Sequence, residues 1–225
     1  MLATARLERF AVVSFAADPD ALAAMLPAGV EVDVPLVSAV AYRYVGLGLR
    51  RFPLPRLSGD QVHLRAYVRV GDERGVWFLR TVQDSPLATL PHRVWAMPWA
   101  RGAVSIDEPR AGHVRVGTEG IELDVAPSDE AVTPPDEVAT ATVGWFLGRG
   151  RVRRFHVGFA DDAMIPARAE RARVAYFEDL GLVAPRQPAL GAFRHADTEI
   201  RIHLPPRRVH GARRAPRGGL SPSPG

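Results

Sequence analysis

Arg65 and Tyr67 are the side chains best suited to bind a ligand in this sequence. They stand two positions apart in the segment 61–70, where polar and apolar residues alternate. A guanidinium holds a carboxylate or phosphate through paired hydrogen bonds, and a phenol can orient the bound group. If this polar face lines a pocket, the pair predicts an anion-binding site. If it faces solvent instead, Arg65 pairs with an acid on the next strand.

Trp77, Trp95 and Trp99 are candidates for an aromatic wall against which an organic ligand would pack. Large aromatic side chains also commonly fill a protein core without touching any ligand. Both interpretations stay open at this point.

His92 and His156 are the weaker catalytic candidates. Histidine titrates near neutral pH and serves as a general acid or base, but a histidine without an identified partner is usually structural. The seven histidines show no spacing typical of metal ligands, so we predict no metal site and no cofactor.

Two residue types are missing, and their absence excludes whole reaction classes. The sequence contains no cysteine, and all 29 of its basic residues are arginine. Thiolate catalysis, disulfides and zinc–thiolate sites are excluded, and no side-chain amine exists to form a Schiff base. No serine has the flanking glycines of a nucleophile elbow.

The elements that must position these residues are mainly strands joined by short polar turns. We expect strands over 11–16, 30–34, 36–45, 61–70, 76–82, 151–159 and 199–204, with short ones near 114 and 121, and helices over 18–26, 134–147 and 168–180. No regular alternation of strand and helix appears. The fold class predicted is therefore α+β, built on a curved antiparallel sheet.

Within the segment 61–70, the even-numbered residues from Val62 to Val70 are apolar and share one face. The odd-numbered residues from His63 to Arg69 are polar and share the other face. If the sheet closes into a barrel, we expect the apolar face to pack against helices. Arg65 and Tyr67 would then point into the lumen.

Several segments resemble, in order and spacing, the YqjF-like family of uncharacterised bacterial proteins. The resemblance spans about residues 7–204, and its motifs are Leu26–Asp33, Arg65–Val68, Gly75–Phe78, Phe146–Arg149 and His156. This family looks like a branch of the acetoacetate decarboxylase-like superfamily. The resemblance implies a closed, cone-like antiparallel β-barrel with flanking helices and a ligand cavity inside.

The resemblance supports the fold but argues against the best-known activity of the superfamily. Its decarboxylases use a lysine pair just after a proline, and Val94–Ala100 looks like the corresponding segment. Trp99 and Ala100 occupy the lysine positions, and neither side chain can attack a ketone. Acetoacetate decarboxylase activity is therefore not expected.

The C-terminal segment 205–225 differs in composition from the rest of the chain. It is rich in arginine, proline and glycine, has no acid, and contains almost no large apolar residue. We predict a single barrel domain over 1–204 followed by a disordered tail. The dense basic run at Arg149–Arg154 adds to this charge.

From these observations we expect a cytoplasmic protein that binds a small organic anion in a barrel cavity. No segment is apolar enough to cross a membrane, and the N-terminal run is a poor signal peptide. One alternative is an enzyme, such as a lyase, isomerase or hydrolase, that uses histidine and arginine. A second alternative is weak binding of nucleic acid or an anionic surface through the arginine-rich tail. The sequence is also compatible with a homo-oligomer.

Overall fold

A computed structural model describes residues 1–50, 56–85, 89–128, 130, 142–160 and 164–213, with the backbone only for 210–213. Strands dominate these ranges. They are β1 (Leu2–Ala16), β2 (Glu31–Leu49), β3 (Leu57–Val70), β4 (Glu73–Gln83), β5 (Trp99–Arg101), β6 (Val104–Asp107), β7 (Val114–Thr118), β8 (Ile121–Pro127), β9 (Val143–Gly148), β10 (Arg151–Phe159), β11 (Met164–Val174), β12 (Gly191–His195) and β13 (Thr198–Arg213).

The described helices are short. They are α1 (Pro19–Met25), α2 (Thr89–Trp95) and α3 (Ala175–Asp179). Helix α1 begins as expected, because the Asp18 side chain accepts a hydrogen bond from the Ala21 amide at 2.8 Å and Pro19 occupies the first helical position. None of the helices in the described ranges is long and apolar enough to cross a membrane.

Seven strands close into a barrel in the order β13-β10-β9-β4-β3-β2-β1, and pairing of β1 with β13 completes the ring. The predicted closed barrel is confirmed. One feature differs from the expectation, because β4 and β9 pair in parallel through Val76 with Gly144 and Trp77 with Trp145. The barrel is therefore mixed rather than wholly antiparallel.

A second set of strands continues the sheet beyond β1, in the order β12-β11-β8-β7-β6. Its apolar residues pack with the outer face of the barrel in one large buried cluster, to which β1 contributes Val13, β3 contributes Leu64 and β8 contributes Leu123. A separate cluster that includes Leu7, Tyr42 and Tyr44 lies on the lumen side. Both faces of the barrel wall are thus buried. The outer face packs against this second sheet, and the inner face packs around the lumen.

Two predicted elements were wrong for identifiable reasons. The predicted helix 168–180 is mostly strand β11, and only Ala175–Asp179 is helical. Alanine, arginine and glutamate favour helices, and a β-bulge between Ala169 and Arg171 breaks the alternation that would have indicated a strand. The predicted strands 30–34 and 36–45 are one continuous strand, β2, with register shifts at its bulges.

Two further predictions fall partly outside the described residues. The C-terminal part of the predicted helix 134–147 is strand β9, whereas residues 131–141 are not among those described. Strand β13 runs past the predicted boundary at residue 204, and Arg207 and Arg208 pair with Arg154 and Arg153 of β10. Residues 205–213 therefore belong to the sheet, and 214–225 lie outside the described residues.

The parallel seam between β4 and β9 depends on Gly75. A Cβ atom at this position would lie 2.3 Å from the Val143 carbonyl oxygen and 2.6 Å from the Trp145 ring. Because backbone cannot move aside cheaply, we expect Gly75→Ala to destabilise the protein by about 1–3 kcal/mol in urea denaturation. The matched control is Gly158→Ala, since nothing lies within 4 Å of its added Cβ. Equal stability of the two variants would contradict the seam.

Candidate functional site

A cavity of about 430 Å³ lies in the barrel lumen, and every barrel strand contributes to its lining. Helix α2 and the segment that follows it lie against one side. The described lining is largely apolar and rich in aromatic rings, which include Phe10, Tyr42, Phe78, Trp95, Trp99 and Phe155. A cavity of this size and character suits a small organic molecule.

Strand β3 supplies the polar side of the cavity. Gln61, His63 and Arg65 alternate along it, and all three side chains line the cavity while being more than nine-tenths buried. The apolar residues between them belong to the cluster on the outer face of the barrel. Arg65 thus lies on the lumen side, as the alternation predicts, whereas the apolar face packs mainly against the second sheet and not against the helices that were expected.

Arg65 is hydrogen-bonded to a chain of buried hydroxyl groups. Its Nε donates to the Tyr67 hydroxyl at 3.3 Å, and its guanidinium lies over the Tyr67 ring at 5.3 Å from the centroid. The Tyr67 hydroxyl is 2.8 Å from the Ser38 hydroxyl, which is 2.8 Å from that of Ser14. Tyr67 does not itself line the cavity, so the structure places it behind Arg65 rather than beside a ligand.

His63 sits between two aromatic rings, with centroid distances of 5.6 Å to Tyr42 and 5.1 Å to Phe78. Neither ring nitrogen has a hydrogen-bond partner among the described residues. Burial, and then the charge of Arg65, lower the pKa of His63 well below its usual range. The imidazole is therefore neutral at pH 7, with one donor and one acceptor nitrogen that are both buried.

Tyr42 and Gln61 complete the polar side. The Gln61 amide donates to the Tyr42 hydroxyl at 2.6 Å. Burial is the largest cause that raises the pKa of Tyr42, so its phenol stays protonated across the physiological range. These groups form a neutral hydrogen-bonding surface beside the one guanidinium that the described residues bring to the cavity.

The three tryptophans predicted to form an aromatic wall take different positions. Trp95 at the end of α2 and Trp99 on β5 line the cavity. Trp77 is buried in the outer cluster, because it pairs with Ala66 and so shares the face opposite to Arg65. Of the predicted aromatic wall, Trp95 and Trp99 are at the cavity and Trp77 is not.

Neither predicted histidine lines the cavity. His92 lies on α2, where its Nδ1 is 2.8 Å from the Met97 carbonyl oxygen. His156 on β10 stacks edge-on with His203 at 5.5 Å, and burial is the first of the causes that lower its pKa. Their catalytic role stays a prediction, and neither side chain contacts the cavity. Sequence alternation placed His63 on the same face as Arg65, which was the signal that could have singled it out.

Among the residues that the structure describes, one cluster away from the cavity could suit a metal. His113, Asp124 and Glu170 bring ligand atoms within 4.8 Å of one another. Arg115 pairs with Asp124 at 3.1 Å and Arg168 pairs with Glu170 at 3.2 Å, so two of the three ligands are already engaged by cations.

The fold is that of acetoacetate decarboxylase-like enzymes. The enduracididine biosynthesis enzyme MppR superposes with a TM-score of 0.71 at 15% identity, covering 92% of this chain and 87% of MppR. Acetoacetate decarboxylase from Legionella pneumophila gives 0.67 at 11% identity, with coverage of 92% and 85%. An acetoacetate decarboxylase-like enzyme from Sphingomonas wittichii gives 0.60 at 14%, with coverage of 95% and 92%.

The chain belongs to the DUF2071 family, described as an uncharacterized conserved protein, whose model matches residues 4–195. The predicted resemblance to an uncharacterised family with the acetoacetate decarboxylase-like fold is confirmed. No protein with a curated description matches the sequence.

The neutral state of His63 predicts a pH dependence of stability. In the unfolded chain His63 binds a proton near pH 6.5, whereas in the folded protein it does not until a much lower pH. The unfolded state therefore gains protons first, and the free energy of unfolding falls as pH drops below about 6.5, by up to about 1.4 kcal/mol per pH unit. We expect His63→Leu to flatten this slope in urea titrations from pH 7.5 to 5.5, and parallel slopes would contradict the assignment.

Proposed function

We propose that this protein binds a small organic acid with an apolar, preferably aromatic, body inside the barrel. The observation that carries the proposal is the buried guanidinium of Arg65, the one charged side chain among the described residues that line a cavity of about 430 Å³. The carboxylate lies toward Arg65, and the body of the ligand packs against Trp95, Trp99 and Phe78.

Elementary energetics favour this orientation. A hydrogen bond to a charged group contributes about 1.5–3 kcal/mol, and the planar guanidinium matches a carboxylate through two parallel bonds. Burial of the apolar body adds about 25 cal/mol for each Å² removed from water. A ligand with both features uses both sides of the cavity.

The related structures agree with an acid as the class of ligand. MppR has been solved in complex with pyruvate, an organic acid, on a fold that superposes with a TM-score of 0.65 at 15% identity. This chain has no lysine, so an acid here is held by hydrogen bonds and packing rather than through a side-chain Schiff base.

The first test compares an aromatic acid with its neutral and truncated analogues. We expect phenylacetate to raise the melting temperature, because it combines a carboxylate with an aromatic body. Phenylacetamide lacks the charge and acetate lacks the ring, so each should give a smaller shift at equal concentration. Arg65→Met should weaken phenylacetate binding at least about tenfold, because charged hydrogen bonds are lost.

Two controls keep this test decisive. Arg168→Gln removes a charge of the same type from an exposed side chain on β11 and should leave the phenylacetate shift intact. The ligand comparison uses the unmodified protein, so it remains informative even if Arg65→Met folds poorly. Equal shifts from phenylacetate and phenylacetamide would show that no anion is recognised.

Proton transfer is the second candidate function, and His63 is the residue that favours it. His63 lines the cavity with both ring nitrogens unpartnered among the described residues, and an anion bound at Arg65 would offset the positive charge that lowers the pKa of His63. This replaces His92 and His156 in the enzyme alternative. The simplest such reaction removes a proton from the carbon beside the carboxylate and returns one.

Hydrogen exchange tests that candidate. In D₂O, the protein should accelerate exchange of the phenylacetate α-hydrogens, followed by proton NMR. His63→Gln should abolish the acceleration while phenylacetate still raises the melting temperature, and His156→Gln should exchange at the unmodified rate. Exchange that survives in His63→Gln would remove His63 as the base.

A further inference from the structure

Four arginine side chains form a basic patch where the turn between β9 and β10 meets β13, and none of them forms an ion pair with a carboxylate of the described residues. We name this group, Arg149, Arg151, Arg153 and Arg208, the arginine patch. Arg153 on β10 and Arg208 on β13 are direct cross-strand partners, so their side chains share one face of the sheet. Arg151 stands two positions before Arg153 on the same strand and points to the same side.

On the opposite face of the same strand pair, an arginine is paired with a carboxylate. Arg154 is adjacent to Arg153 and therefore points the other way, where its Nε donates to Glu73 at 2.7 Å. The charges that act on Arg153 are all cations, since burial and then Arg208, Arg149 and Arg151 lower its pKa. Like charges placed directly opposite in a sheet are destabilising unless a counter-charge is present.

Arg153 is also incompletely hydrogen-bonded. Its Nε is buried and has no hydrogen-bond partner among the described residues. Its side chain packs against Gly148, where an added Cβ would lie 2.7 Å from Arg153 Cδ and 2.4 Å from the Trp95 carbonyl oxygen. A buried donor without a partner costs free energy that a bound anion would recover.

The patch borders helix α2, which forms part of the cavity wall. The Arg149 guanidinium donates to the Arg93 carbonyl oxygen at 3.1 Å. The Trp95 carbonyl oxygen lies beside Gly148, and Trp95 also lines the cavity. None of the four arginines lines the cavity, so the patch is a site separate from Arg65.

We propose that the arginine patch is a binding site for a phosphate group with two or more negative charges. Four guanidiniums exceed what one carboxylate can neutralise, whereas a phosphate or diphosphate offers several oxygens and more charge. A nucleic-acid strand is the weaker occupant, because no aromatic side chain alternates with Arg149–Arg154 for base stacking. The phosphate comes either from a soluble phosphorylated molecule or from a phospholipid headgroup.

Pyrophosphate at low ionic strength is the first probe of this site. At about tenfold excess over its dissociation constant it should raise the melting temperature of the full chain by about 3–6 °C. Arg153→Gln and Arg208→Gln should each lose most of this shift. Without anion, Arg153→Gln should melt no lower than the unmodified protein, because the substitution relieves repulsion between cations.

The matched control is Arg201→Gln. Arg201 lies on the same strand as Arg208 but pairs with Glu199 at 3.1 Å, so it should keep the pyrophosphate shift. Arg65→Met should also keep the shift, which separates failure of this site from failure of the cavity proposal. Equal shifts in Arg153→Gln and Arg201→Gln, or no shift in the unmodified protein, would overturn the proposal.

Vesicle sedimentation identifies the source of the phosphate. Binding to phosphatidylcholine vesicles that contain phosphatidic acid, with competition by pyrophosphate and none to pure phosphatidylcholine, supports a lipid headgroup. A pyrophosphate shift without vesicle binding supports a soluble ligand. Binding of a single-stranded oligonucleotide that pyrophosphate neither mimics nor competes with would overturn the proposal in favour of nucleic acid.

Discussion

Burial of a positive charge inside the barrel is the constraint on which the site depends. A guanidinium taken out of water needs polar partners, and for Arg65 these begin with the Tyr67 hydroxyl and continue through Ser38 to Ser14. That chain crosses three neighbouring strands, so it is in place only when β1, β2 and β3 are in register. The same low-polarity surroundings that make the charge costly to bury strengthen its attraction for an anion.

The barrel can hold this arrangement because both faces of its wall are covered. Strand β3 sends apolar residues outward to the second sheet and polar residues inward, and closure through β1 and β13 encloses the lumen. Aromatic side chains then line the space around Arg65 and His63, and His63 stays neutral because it is buried beside a cation. The acid recognition that we propose depends on this layering of the sheet, which places Arg65 on the lumen side.

Local sequence patterns predicted what lies within one strand but not what lies across strands. Alternation in β3 predicted that Arg65 faces the lumen, and it places His63 on the same face. The burial of His63 between aromatic rings appears only once residues of the neighbouring strands are known. The sequence left Trp77 open between cavity wall and core, because its face is decided by pairing with Ala66 and no local pattern on β4 reveals that register. The segment 168–174 was misread because a bulge interrupts its alternation and its residue types favour a helix.

The most direct measurement is a crystal structure of the protein grown with phenylacetate. Our account predicts density for the ligand inside the barrel, with its carboxylate within hydrogen-bond distance of the Arg65 guanidinium and its ring against Trp95 or Trp99. A His63 nitrogen should lie close enough to bond or exchange a proton with the bound acid. A ligand bound outside the lumen, or inside it with its carboxylate turned away from Arg65, would contradict the account.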